Sequence, residues 1–150
     1  MRFFEGLPLV EDLDHVIEQY HLVAAEFIKG NAESYKEIFS HREDMSLANP
    51  FGPPVRGWNE AAQTMECAAS RYRDGEIVGF ENVAKYVTSE LAYIVEVERY
   101  QARVGGGEDI TPVPLRVTSI FRPEDGPWKI VHRHADPITT PQSAESVIQQ

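Results

Sequence analysis

Apolar residues at Val10, Leu13, Ile17, Tyr20, Ala24, Phe27 and Ile28 recur at spacings of three and four, which places them on one face of a helix. Gly30 follows as a left-handed stop. Asn31 is positioned to cap a second, short helix with Tyr35, Ile38 and Phe39 as its apolar residues, after which Met45 and Leu47 alternate into a brief extended segment. The prolines of Asn49-Pro50-Phe51-Gly52-Pro53-Pro54 remove backbone donors and fix φ, so this stretch predicts a rigid loop. Asn59 then caps a third helix. Its stripe is Ala62, Met65, Ala69 and Tyr72, with Arg71 and Arg73 near the negative end of the helix dipole and Gly75 closing it.

Beyond Gly75 the period changes from helical to alternating. Phe80 to Val87, Leu91 to Val104, Val113 to Arg122 and Trp128 to Ala135 read as four strands rich in Val, Ile, Tyr and Phe. Helices first and strands afterwards predict an α+β fold, with three N-terminal helices packed on a curved, mostly antiparallel sheet, rather than a parallel α/β sheet. Gly105-Gly106-Gly107 and Asp125-Gly126 supply the turns, and connections this short make neighbouring strands antiparallel. Residues 1–136 are read as one domain. Residues 137–150 are polar, contain two prolines, and are expected to be a loose tail or a strap across a partner.

Pro127 has no N–H with which to close a two-residue hairpin at Asp125-Gly126, so a longer loop bracketed by Pro123 and Pro127 is expected. If Arg122 faces Trp128, then Ile120 faces Ile130, Thr118 faces His132 and Arg116 faces His134, all on one side of the sheet. A turn centred near the three glycines adds Ile94, Glu96 and Glu98 to that side. The resulting face is graded, apolar at one end and carrying Glu98, Arg116, His132 and His134 at the other. The opposite face carries Tyr93, Val95, Val97, Val117, Phe121 and Val131, with Arg99 and Arg133 as its charges. Both faces are too apolar to stand bare in a monomer, so one should receive the helices and the other a second subunit. The graded face is the expected pocket wall, because pockets combine apolar lining with a few convergent polar groups. The alternative sets Glu96, Glu98, Arg116 and the histidines in ion pairs at a dimer interface, with the valine face under the helices. A register slip of one residue exchanges Thr118 and Arg116 between the two sides.

Composition narrows function mainly by exclusion. A chain of 150 residues suits one domain with one core. The formal charge of −10 repels nucleic acid and anionic membrane surfaces, so neither is expected as a partner. The first residues lack the apolar run of a signal peptide, and no stretch approaches the ~20 apolar residues of a membrane span, so a cytoplasmic location is expected. Cys67 is the only cysteine, which rules out an internal disulfide; it reads as a small buried hydrophobe rather than a nucleophile. There is no phosphate loop, nucleotide fingerprint, Gly-x-Ser-x-Gly elbow or zinc motif, and no cofactor is expected. His132 and His134 share a face and suit either acid/base work or two positions of a metal shell, but a metal needs at least one further donor and none is identified.

Three stretches resemble the nuclear-transport-factor-2-like superfamily, and within it the SnoaL-like group that includes ketosteroid isomerases and the association domain of calmodulin-dependent kinases. They are Leu47-Ala48-Asn49-Pro50-Phe51-Gly52 with Arg56-Gly57, Leu115-Arg116-Val117-Thr118, and Asp125-Gly126-Pro127-Trp128-Lys129-Ile130-Val131-His132-Arg133-His134. Together with the order of elements they span residues 10–136. The resemblance implies a cone-shaped roll, commonly dimeric, with a central cavity. In the isomerases an Asp before the loop proline is the proton-transfer base; the matching position here is Asn49, which takes no proton at neutral pH, so that chemistry is disfavoured. The family's oxyanion-stabilising acid falls near Thr118, and its first-helix tyrosine near Val23, with Tyr20 one turn away.

The first reading is therefore a homodimeric small-molecule binding protein of SnoaL-like type. Arg116, Thr118, His132, His134 and Asn49 supply its polar contacts, Tyr20 and Trp58 join the lining, and the ligand carries a carbonyl or carboxylate. Each assignment has a structural counterpart: Arg116 neutralised by Glu98, Asn49 closing its own turn through an Asx hydrogen bond, and Trp58 as a packing anchor. The second reading is a cofactor-independent enzyme of isomerase, dehydratase or cyclase type, with His132 or His134 as base and Arg116 steadying negative charge. The third is an oligomerisation module without a ligand, which predicts a solid core.

Overall fold

A stripe of Leu13, Val16, Tyr20, Ala24 and Ile28 is buried along α1 (Leu13–Phe27), each large member contributing roughly 1.5–3 kcal/mol through burial. Asp12 starts the helix by accepting from the Asp14 N–H at 3.1 Å, and Gly30, at φ +107°, ends the segment as the sequence predicts. The chain is seen here as a computed structural model that describes residues 12–149. Val10, the first member of the predicted stripe, and the N-terminal residues read for a signal peptide lie outside the described residues.

After α2 (Glu33–Glu37), whose first turn is capped by Asn31 through the Glu33 N–H, come β1 (Ser46–Ala48), β2 (Val55–Arg56) and α3 (Trp58–Ala69). Four longer strands follow: β3 (Tyr72–Val87), β4 (Ala92–Val104), β5 (Thr111–Pro123) and β6 (Trp128–Asp136), then a 3-10 turn at Ala144–Val147. The six strands form one sheet in the order β2-β1-β6-β5-β4-β3, antiparallel throughout except where β1 runs parallel to β6. Three helices on a curved, mostly antiparallel sheet confirm the predicted α+β architecture. No helix among the described residues is long and apolar enough to cross a membrane.

Helix three departs from its predicted bounds. It starts at Trp58 behind Gly57, not at an Asn59 cap, and Tyr72, in phase with its stripe, opens β3 instead. Gly75 is therefore a strand residue and not a helix stop. Its role is close approach: a Cβ there would lie 2.1 Å from the Ile28 carbonyl oxygen, so only glycine lets β3 pass the end of α1. Cys67 corrects another expectation, being exposed on the outer side of α3.

The register of β4, β5 and β6 decides which side chains enter the core. The loop bracketed by Pro123 and Pro127 forms as expected, with Pro123 opposite Trp128 and the Glu124 N–H donating to the Pro127 carbonyl. Arg122 therefore pairs with Lys129, one residue away from the register assumed. Further along, Phe121 pairs with Ile130 but Ile120 with His132, so Val131 is an extra residue on β6. This bulge reverses which residues of β6 point inward. Across the other turn Glu98 pairs with Leu115 and Glu96 with Val117. The buried face consequently holds Ile94, Glu96 and Glu98 from β4, Val117, Ser119 and Phe121 from β5, and Trp128, Ile130, Arg133 and Ala135 from β6. Each of the two faces drawn from the sequence is thus a mixture of inner and outer residues.

Candidate functional site

Arg133, assigned by the sequence pattern to the face opposite the pocket, is the cation of the interior. The Val131 bulge turns it inward, where only 7% of its surface remains exposed. A cation there needs partners, because an unpaired buried charge is costly. Glu98, fully buried on β4, accepts from Arg133 Nη2 at 2.9 Å and from the hydroxyls of Tyr20 and Tyr100. Arg133 Nε donates to the Tyr20 oxygen at 2.9 Å, closing a ring of hydrogen bonds that joins α1, β4 and β6. Burial pushes the Tyr20 and Tyr100 hydroxyls well above the ordinary tyrosine range, so both stay protonated and donate. Burial acts against the charge of Arg133, but the Tyr20 oxygen and the Glu98 carboxylate that accept from it outweigh burial and hold the guanidinium above its ordinary range.

Beside this network lies a cavity enclosing about 30 Å³ of free space, room for a water or two. Ala24, Ile28, Leu47, Phe51, Met65 and Leu115 make most of its wall apolar, while Arg133, Asn49, Tyr35, Tyr72 and Tyr100 bring polar groups to it. The Arg133 Nη1 has no acceptor among the described residues. Asn49 closes its turn, Oδ1 accepting from the Phe51 N–H at 2.9 Å, and its Nδ2 has no acceptor among the described residues. Both functions weighed for Asn49 are therefore compatible, one on each end of the amide.

A second polar pair sits on the same inner face. His21 Nε2 lies 2.8 Å from Glu96 Oε2, and the imidazole stacks on Phe80 with ring centres 3.7 Å apart. The other oxygen of Glu96, and the hydroxyl of Ser119, are buried without a hydrogen-bond partner among the described residues. Burial pushes the Glu96 carboxyl up, opposed by its hydrogen bond to His21.

Of the residues singled out from sequence, Tyr20 lies in the interior network and Asn49 at the cavity. His132, His134, Arg116 and Thr118 do not join them, and their placement on the inner wall is corrected: strand parity sets all four on the outer side of the sheet, where Arg116, Thr118 and His134 line a separate surface cleft of about 330 Å³. His132 Nδ1 is 2.7 Å from the Ser46 hydroxyl; burial, and secondarily the nearby His134, lower its pKa. His134 is exposed and reaches Asp136 at 3.1 Å, and the same carboxylate, not Glu98, pairs with Arg116 at 2.8 Å. Trp58 stacks on His41 with ring centres 3.8 Å apart and is not part of the cavity wall. No group of three or more His, Cys, Asp or Glu among the described residues is arranged to hold a metal. The residues that sequence reasoning missed are Arg133, Tyr35, Tyr72 and Tyr100.

Solved structures share this architecture at low identity, which speaks for the fold alone. A candidate calcium/calmodulin-dependent protein kinase type II association domain from Thiobacillus denitrificans superposes with a TM-score of 0.71 at 12% identity, over 89% of this chain and 100% of that one. A nuclear transport factor 2-like superfamily protein from Salmonella enterica gives 0.69 at 18% identity, covering 89% and 93%. A ketosteroid isomerase-like protein from Erwinia carotovora gives 0.68 at 16% identity, covering 92% and 100%. No functionally curated sequence matches significantly. The model of the SnoaL-like domain matches residues 13–139, nearly all of the cone and its helices, and the chain belongs to that family.

Proposed function

We propose that the chain is a small-molecule binding protein whose ligand presents a carboxylate or carbonyl to Arg133 inside the cone. The observation that carries this is a guanidinium lining a largely apolar cavity, with one nitrogen that has no acceptor among the described residues. Glu98 and the two hydroxyls hold Arg133 in place before any ligand arrives, so little ordering is required on binding. Asn49, which also lines the cavity, has an amide Nδ2 to offer as a second donor. Neither Asn49, which cannot take a proton, nor Glu98, which already accepts from three donors, is a free general base at this cavity, and Glu96 does not line it. Binding is therefore favoured over acid/base chemistry.

The test is an NMR titration that follows the Arg133 Nε–H signal. Acetate needs only a slight widening of the cavity and benzoate a larger one; each should shift that signal and the amides of Leu47 and Met65 saturably. Sodium chloride at equal ionic strength should not. If neither carboxylate does more than chloride, the proposal fails. The proposal extends to a homodimer through the outer sheet face, where Tyr93, Val95, Val97 and Ile120 form a partly exposed apolar surface. Native mass spectrometry would report subunit number and any retained ligand together; a monomer at all concentrations removes the dimer.

A further inference from the structure

The interior cavity has a neighbour. On the surface between the loop 49–55 and α3 lies a cleft of about 180 Å³, whose wall shares Asn49, Phe51 and Ala68 with the cavity. Phe51 stands between the two. Its ring is edged by Tyr72 on the inner side, with centres 5.7 Å apart, and covered by the Arg71 guanidinium at 4.7 Å on the other. Arg71 is exposed and has no carboxylate partner among the described residues, in a chain whose net charge is −10. Most other cations here are paired with an acid or a carbonyl, so Arg71 is free to meet a ligand. Burial pushes the Tyr72 hydroxyl up, while Arg133 and then Arg71 pull it the other way, so one tyrosine feels both guanidinium groups.

We infer that cavity and cleft are one ligand site partitioned by Phe51, and that its occupant is a compact aromatic molecule bearing anionic groups at two ends, one for Arg133 and one for Arg71. This rests on the binding role proposed for Arg133. The inner cavity alone, at about 30 Å³, is too small for a ring, and the cleft alone is open to water; displacing the Phe51 ring joins them. Phe51 is attached to a loop pinned at Asn49 by one Asx hydrogen bond, so its side chain can turn without unfolding an element. A carboxylate in the cleft takes over Arg71 from the face of the ring, replacing a cation–π contact with a charge-assisted hydrogen bond.

The experiment compares benzoate with terephthalate, its para-dicarboxylate, by calorimetric or NMR titration of the intact chain. Terephthalate should bind about tenfold more tightly than benzoate, the size of one hydrogen-bonded charge contact. In Arg71→Met that ratio should fall toward one, and Phe51→Leu should strengthen binding of both probes. Equal affinity for the two acids in the native chain, or a preference that survives Arg71→Met, overturns the inference while leaving Arg133 as the inner anchor. Binding of neither probe removes this inference, and the Arg133 reading falls with it only if acetate too leaves the Arg133 signal unmoved. The native chain's own ratio decides the matter should Phe51→Leu prove unstable.

Discussion

Replacing Glu98 by Gln keeps the side chain's shape and one carbonyl acceptor while deleting the charge that faces Arg133. The partner oxygen and nitrogen are 2.9 Å apart, Glu98 is fully buried and Arg133 nearly so. With charge centres about 4 Å apart and an effective dielectric of about 20, their attraction is of order 4 kcal/mol. Mutational experience with broken buried pairs gives a similar figure, about 3–5 kcal/mol, because the remaining charge is stranded. Against a domain stability of about 5–15 kcal/mol this is a large fraction. Urea denaturation followed by tryptophan fluorescence should show a midpoint lowered by ~2 M for a slope of about 2 kcal/mol per molar. The companion is Glu98→Gln with Arg133→Met, which removes both charges, leaves Tyr100 an oxygen to donate to, and offers Tyr20 an amide N–H that its oxygen, freed of Arg133, can accept. That double variant should recover more than half of the loss, since no ion is left unpaired. A single substitution costing under ~1 kcal/mol, or a double variant whose loss equals the sum of the singles, would refute the account of the network.

Three further outcomes follow from the same structure. Gly75→Ala should destabilise by ~2–3 kcal/mol or more in the same assay, because the added Cβ meets the backbone of Ile28 at 2.1 Å and no side-chain rotation relieves that; a neutral result would mean α1 and β3 separate easily. Glu96 has a carboxyl pKa raised in the folded chain, so the folded state holds its proton longer. Its contribution is present below the ordinary carboxylate range and is lost as pH rises through the raised value. Stability of Glu96→Gln, measured from pH 4 upward, should lack that decline, and parallel curves for the two proteins would count against it. The His132 imidazole should titrate below its usual value in NMR, and His134→Ala should move the midpoint upward by removing a neighbouring positive charge, though only partly since burial is the larger cause.

The elements that were legible in the sequence are those in which one periodicity runs unbroken. The stripe from Leu13 to Ile28 gave α1, Gly30 its end, and the alternation from Leu91 to Val104 gave β4 within a residue of its start. Tyr72 shows the limit of that signal: it continues the spacing of Ala62, Met65 and Ala69 as well as it opens a strand, and only the passage past Ile28 at Gly75 decides between them. The short strand Val55–Arg56 carries too few residues for any period to register.

The candidate site failed to appear for a related reason. Trp128 and Ile130 alternate inward, but the next four residues are Val131, His132, Arg133 and His134, in which three successive polar side chains leave hydrophobic alternation nothing to follow. Extending the parity of Ile130 sends the two histidines inward and Arg133 out, and only the buried Ala135 argues for the reverse. A pattern rule also assigns cations to solvent by construction, whereas Arg133 is held inside by partners 35 and 113 residues away in sequence, Glu98 and Tyr20. Such partners become visible only once the strands are in register. The bulge at Val131 is thus the step on which the site depends: it costs one ladder pairing, and in return moves a guanidinium from the outer face of the sheet to the cavity wall.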